Sequence, residues 1–204
     1  MEHLYIAFVD TPGIFAGIIR RYLKQRYVHV VISEDENFEN AYSVGRRNPE
    51  IPILAGFEKE ECSKILHKFP EAYYCICKLD CTREQKESIK KRLEEDYTRR
   101  FHIHYAIAGL PFLILGIPFY IKDQYMCSSY LAKILSENGI KISEKHFSLV
   151  TPKDFLEYKE KTVIFEGKLS EFVKRGSYET EYKKDFAGWK FVLWNYVSDL
   201  LERV

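Results

Sequence analysis

Residues 27–44 limit the fold more than any other stretch of this sequence. "YVHVVI" (27–32) and "FENAYSV" (38–44) are rich in β-branched and aromatic residues, and the polar "SEDEN" between them reads as a hairpin turn. Strands joined so closely are antiparallel, since a parallel pair needs a long crossover. "HLYIAFV" (3–9), "AYYCICKL" (72–79) and "KTVIFEG" (161–167) add further strands. Helical signals stand apart from them. Thr11 and Pro12 offer a helix start for the stripe Ile14, Phe15, Ile18, Ile19, Tyr22 and Leu23, and a loop from Gly45 to Gly56 precedes a short helix in "EKEECSKILHKF". Thr82 to Gln85 form a capping box opening a charged helix to about Arg100. A helix starts at Cys127, with Tyr130, Leu131, Ile134 and Leu135 on its buried side and Gly139 as its stop. Thr151-Pro152 opens another. No βαβ alternation runs through the chain, so the class is α+β.

Beyond Gly176 the sequence is charged, then amphipathic over Trp189, Phe191, Trp194, Tyr196, Val197 and Leu201. The expected division is a domain over 1–170 and a helical extension over 171–204. Homo-oligomer formation through the extension's helix is the partner expectation.

A chain of 204 residues, 46% hydrophobic, buries about 70% of its unfolded surface, so its core needs no metal or disulfide. The net charge of +1 gives no whole-molecule bias toward nucleic acid, although Arg20, Arg21, Lys24 and Arg26 form a local basic face. The most apolar run, "YAIAGLPFLILGIPFYI" (105–121), is short and interrupted by Gly109, Pro111, Gly116 and Pro118. It is expected to be a buried loop or helix and not a transmembrane segment. The start lacks a secretory pattern, and five cysteines cannot all pair, so a cytoplasmic, reducing location is expected. Cys75, Cys77 and Cys81 lack zinc-knuckle spacing, and no cofactor is expected. Arg46 and Arg47 in "GRRNP" are read as loop arginines with some capacity to hold an anion.

Cys127 is the candidate nucleophile, because a thiol at a helix N-terminus is where the backbone stabilises a thiolate. Packing is its competing role. Of the six histidines, His29 alone occupies the middle of an apolar strand, where a ring must be hydrogen-bonded to be tolerated. Across the hairpin, Asn40 and Tyr42 alternate onto one face and Ser43 onto the other, and either set offers a partner for the imidazole.

"YVHVVI…NAYSVGRRNP…GF", followed by "YMCSSYLAKIL…SLVTPKDF…VIFEGKL", resembles the circularly permuted NlpC-like branch of the papain-fold superfamily, closest to its YiiX/YycO-like cysteine amidases. The likeness covers roughly 4–170. It implies a small antiparallel sheet packed against a helix carrying the nucleophile Cys127, with His29 as base and Asn40 as the third group, where many relatives have an acid. Tyr42, Ser43, Arg46 and Tyr125 are the expected substrate contacts, and the Cys127 N–H the expected oxyanion donor.

The resulting expectation is a cysteine peptidase or amidase acting on a small peptide-like or acyl substrate, including cell-wall-type peptides, through an acyl-enzyme. A thiol-dependent acyltransferase or lipid-directed thioesterase is the alternative, and a non-catalytic binding module on the same fold is the third.

Overall fold

The computed structural model describes residues 1–10, 17, 20–22, 24–47, 55–176 and 189–201. Its strands are β1 (Glu2–Asp10), β2 (His29–Ser33), β3 (Ala41–Arg46), β4 (Ala55–Lys59), β5 (Tyr73–Cys81), β6 (His104–Tyr105), β7 (Gln124–Tyr125) and β8 (Thr162–Lys168). The described α-helices are α1 (Cys62–Lys68), α2 (Arg83–Thr98), α3 (Leu110–Leu115), α4 (Cys127–Glu137), α5 (Pro152–Glu157), α6 (Leu169–Gly176) and α7 (Trp189–Leu201). One sheet holds all the described strands, in the order β7-β6-β4-β3-β2-β1-β5-β8, antiparallel except where β6 meets β7.

β1 is central, pairing with β5 from Glu2↔Cys81 to Asp10↔Tyr73 and with β2 from Tyr5↔Ser33 to Val9↔His29. Both of its faces are covered. Leu4, Ile6 and Phe8 join Ile89 and Leu93 of α2, Leu131 and Leu135 of α4, and Phe155 of α5. Tyr5, Ala7 and Val9 face the opposite layer, with Leu169, Phe172 and Val173 of α6 and Ile65 and Leu66 of α1 packed against it. Fully burying one large apolar side chain stabilises by about 1.5–3 kcal/mol, so this double-sided strand anchors the molecule. α2 starts on the expected capping box: Gln85 N donates to Thr82 Oγ1 (3.2 Å) and Thr82 N donates to Gln85 Oε1 (2.9 Å).

The α+β class holds, but the sheet is larger than the small one expected. β4 is the consequential addition. Its sequence, AGFEK, has a single large apolar residue, Phe57, and the charged residues after it favour a helical reading. The helix begins only at Cys62. The helix expected from Thr11 lies mostly outside the described residues, as does most of the loop from Gly45 to Gly56.

One expectation about the apolar segments needs correction. Residues 105–121 are not buried throughout: Leu115 is 69% exposed, and Ile114 and Ile117 are each 48% exposed. α3 is too short to hide a run that is apolar all round, and Gly116, left-handed at φ 69°, ends it. α6 runs across residue 170, where the division was expected, and puts Phe172 and Val173 into the core. α7 docks on the segment before β6, with Phe191 edge-on to Phe101 at 5.3 Å and Asp199 on His102 and His104. Its Phe191, Trp194 and Val197 remain exposed, and the side chains of Trp189 and Leu201 lie outside the described residues. Among the described residues, no helix is long and apolar enough to cross a membrane.

Candidate active site

α4 begins at Cys127 because Met126 is extended (φ −84°, ψ 164°) and Ser129 turns its hydroxyl back to the Met126 N–H at 2.9 Å. Ser128 Oγ donates to Val150 O at 2.6 Å, tying the first turn to "SLVTP". Cys127 therefore sits, 3% exposed, at the first helical position, where the N–H groups lack helical partners and favour negative charge.

β2 and β3 are partnered only at Ile32↔Tyr42 and Ser33↔Ala41, and α4 packs against both strands. The Cys127 sulfur lies beside the His29 imidazole, and that ring together with the backbone N–H groups of Val30 and Ser128 favours its charged form. Gly45 leaves room for that ring, since a Cβ there would lie 2.9 Å from His29 Cε1.

Glu60 closes the arrangement. It follows β4, anchored by its N–H donating to Ala41 O at 2.8 Å. Its Oε1 lies 3.0 Å from His29 Nε2 and accepts from Ser43 Oγ at 2.7 Å. With Nε2 held by the carboxylate, Nδ1 is the nitrogen left for the thiol. Ser43, Glu60, His29 and Cys127 form one chain of polar contacts in an otherwise apolar wall.

Burial opposes charge on each of the three ionisable groups, and their mutual attraction overcomes it. The Cys127 thiol is pushed up by burial, but the imidazolium and the hydrogen bonds to its sulfur bring it below its ordinary value. Burial disfavours the His29 imidazolium, yet the Cys127 thiolate and the Glu60 carboxylate hold its pKa well above the usual histidine range. Burial raises Glu60, while His29, Ser43 and Arg46 together lower it. Each group of the pair therefore favours the charged form of the other, a thiolate beside an imidazolium. Tyr105 faces the same charges. Burial raises its phenol, the Cys127 charge adds to this, and Arg46 opposes it.

The other residues singled out in the sequence separate clearly. Asn40 does not hold His29; its Oδ1 accepts from Lys59 Nζ at 3.2 Å, and the carboxylate on the imidazole is that of Glu60. The physical reason is register: the alternation that turns Ser43 toward His29 turns Asn40 and Tyr42 away. Tyr42 is buried, stacked on Phe57 at 5.8 Å, and Tyr125 is buried with its hydroxyl 2.8 Å from that of Tyr120, so both pack in the core. Ser43 supports Glu60. Arg46 is at the site, beside Glu60 and over the Phe69 ring at 5.3 Å. Arg47 is structural, donating to the carbonyls of Phe57, Arg100 and Ile103. Asp10 is held by Arg20 and Arg26, and Thr11 lies outside the described residues. All five cysteines are free. Burial lifts Cys62 to about 12 and raises Cys81, while Cys75, beside Cys77 on β5, is lowered by that neighbour. Glu60, on the His29 ring, and Tyr105, near the Cys127 charge, were not singled out in the sequence. Glu60 lay in an acidic run resembling a helix start, and Tyr105 in a run read as core.

No protein-family model matches the sequence, and no curated protein matches it. Among solved structures it is similar to the protein described as metalloprotein YiiX, DUF1105, from Escherichia coli O157:H7, with a TM-score of 0.54 and 11% identity. The likeness covers 81% of this chain and 97% of that one, and at this identity it establishes a shared YiiX-like fold.

Proposed function

We propose that this chain is a cysteine hydrolase that opens an amide bond through an acyl-enzyme on Cys127, on a permuted papain-like fold. The observation that carries the reading is the series of buried Cys127 and half-buried His29 and Glu60: a helix-start thiol, an imidazole beside it, and a carboxylate fixing that imidazole. The Cys127 thiolate attacks the carbonyl carbon, and the negative charge that develops on oxygen is met by the Cys127 N–H. The His29 imidazolium gives its proton to the leaving amine as the C–N bond breaks. Water then yields a proton to neutral His29 and attacks the thioester; the acid leaves and the thiolate–imidazolium pair is restored. Glu60 keeps the imidazole's orientation and balances its charge throughout.

The structural neighbour is described as a metalloprotein. Among the described residues of this chain, no three His, Cys, Asp or Glu side chains are grouped to hold a metal ion, so no step is routed through one. Asp199 with His102 and His104 comes nearest, and its carboxylate is already shared between two imidazoles. Five free thiols support a reducing, cytoplasmic setting.

The test uses the thiol alone. The native protein is treated with a limiting alkylating agent at about pH 6, where an ordinary thiol is protonated, and the modified residue is located by peptide mass mapping. Cys127 is expected to react first, and His29→Ala to remove that preference with the fold intact. Equal labelling of all five thiols, or a Cys127 that resists until unfolding, would make it a packing residue and end the enzyme reading. Acyl transfer to or from lipids is the second reading, favoured by the exposed apolar segment beside Met126.

A further inference from the structure

The segment from Ile107 to Tyr120 has no place in the mechanism above, and its packing is unusual. Between Ile103 and Ile121 there is no Asp, Glu, Lys or Arg. Its base is built firmly. Phe112 and Phe119 stack with centroids 4.2 Å apart, Phe119 N donates to Ser148 Oγ at 3.2 Å, and the Tyr120 hydroxyl meets that of Tyr125. Gly109 packs so closely under Met126 that a Cβ would lie 3.3 Å from its terminal methyl. The tip, by contrast, is open, with Ile114, Leu115 and Ile117 projecting into solvent. A rigid base under an exposed apolar tip is a surface built to be covered.

Its surroundings say by what. The Tyr22 hydroxyl lies 3.4 Å from Leu113 O and 3.3 Å from Ile114 O, which brings the basic run alongside the tip. Arg21 and Lys24 are exposed there, while Arg20 and Arg26 neutralise Asp10. Exposed Tyr22 and Tyr120 rim the apolar residues. An apolar tip, a tyrosine rim and flanking cations match the layers of an anionic bilayer: acyl chains, interface and phosphate headgroups. A protein partner would call for directional polar groups at the rim, and the tip carries none.

We infer that residues 107–120, with Arg21, Tyr22 and Lys24, form a docking surface for an anionic membrane, seated next to the helix start that holds Cys127. The tip enters the headgroup boundary, and the basic residues engage the lipid phosphates. Docking is independent of whether Cys127 is a nucleophile, so the two readings fail separately.

The experiment is flotation of the full chain with phosphatidylcholine vesicles containing about 30 mol % phosphatidylserine, and with vesicles of phosphatidylcholine alone. The protein is expected to float with the anionic vesicles, less with the neutral ones, and less as salt rises. Leu115→Asp combined with Ile117→Asp is expected to lower partitioning at least about tenfold. Arg21→Glu with Lys24→Glu should lower it on the order of tenfold, and only on anionic vesicles. These residues are exposed, so thermal melts of the variants should match the parent. Cys127→Ser should float like the parent. Failure of the parent to bind anionic vesicles overturns the inference, as does unchanged binding by the double Asp variant. A parent dimer that becomes monomeric in that variant, without vesicle binding, would make the face a contact between copies and likewise overturn it.

Discussion

Two histidine–carboxylate pairs are built into the same sheet, and as pairs they are nearly alike. His29 Nε2 lies 3.0 Å from Glu60 Oε1, and His104 Nε2 lies 2.7 Å from Asp199 Oδ2. What each pair faces differs. Beyond His29 is the sulfur of Cys127 at a helix start, whereas beyond His104 is the ring of Tyr196, edge-on at 4.9 Å. Glu60 orients a single imidazole and is itself steadied by Ser43. Asp199 bridges two, reaching His102 Nδ1 at 3.1 Å as well, and comes from α7. The first carboxylate therefore holds an imidazole that faces a thiol; the second staples α7 to the sheet. An acid beside a histidine has no assigned chemistry until the third group is known.

The comparison breaks most easily at Cys127. Cys127→Ala should abolish amide hydrolysis, a loss of at least about 10³-fold, because no other thiol faces His29. The corresponding change beside the second pair, Tyr196→Ala, should leave turnover intact. If Cys127→Ala retains activity in a coupled amide-cleavage assay, the two pairs are functionally equivalent and neither is catalytic.

Glu60→Gln comes next. It should lower turnover about ten- to a hundredfold, since orientation survives in part while charge balance is lost. It also carries a sign. Glu60 helps raise the His29 pKa, so its removal should move the alkaline limb of the pH–rate profile to lower pH. A raised histidine pKa stabilises the fold fully below the unfolded imidazole value and loses that contribution as pH rises through the folded one. The variant's stability deficit should accordingly shrink at high pH. A deficit that instead grows with pH would mean His29 is held neutral.

Asp199→Asn tests the staple. Turnover should be unchanged and unfolding free energy reduced by about 1–2 kcal/mol, read by urea titration. Burial raises Asp199, and its bonds from His104 and His102 win and hold it below its ordinary value. That contribution is present above the unfolded carboxylate pKa and fades as pH falls through the folded one, so parent and variant should converge in acid. Lost turnover with unchanged stability would exchange the roles of the two pairs.

The smallest effect is expected at Asn40. Its bond to Lys59 is peripheral, so Asn40→Ala should change stability by less than about 0.5 kcal/mol and leave kcat/KM as it was. A tenfold fall would return Asn40 to the site.

The sequence alone determined what depends on local periodicity and capping. The hairpin of β2 and β3, the Thr82 capping box, the buried stripe of α4, the place of Cys127 at a helix start and that of His29 on an apolar strand all follow from residue type and local spacing. The third member of the site does not. Glu60 reaches His29 because β4 adds beside β3 and its Glu60 N–H finds Ala41 O, a pairing between segments whose only local signal was one phenylalanine among charges. Nor does the exposure of Leu115. An apolar run announces that it avoids water, but which side it hides depends on what space the sheet, Met126 and Ser148 leave beside it. Local sequence sets the conformation of each segment, and only the assembled sheet decides which side chains, far apart along the chain, share one desolvated space.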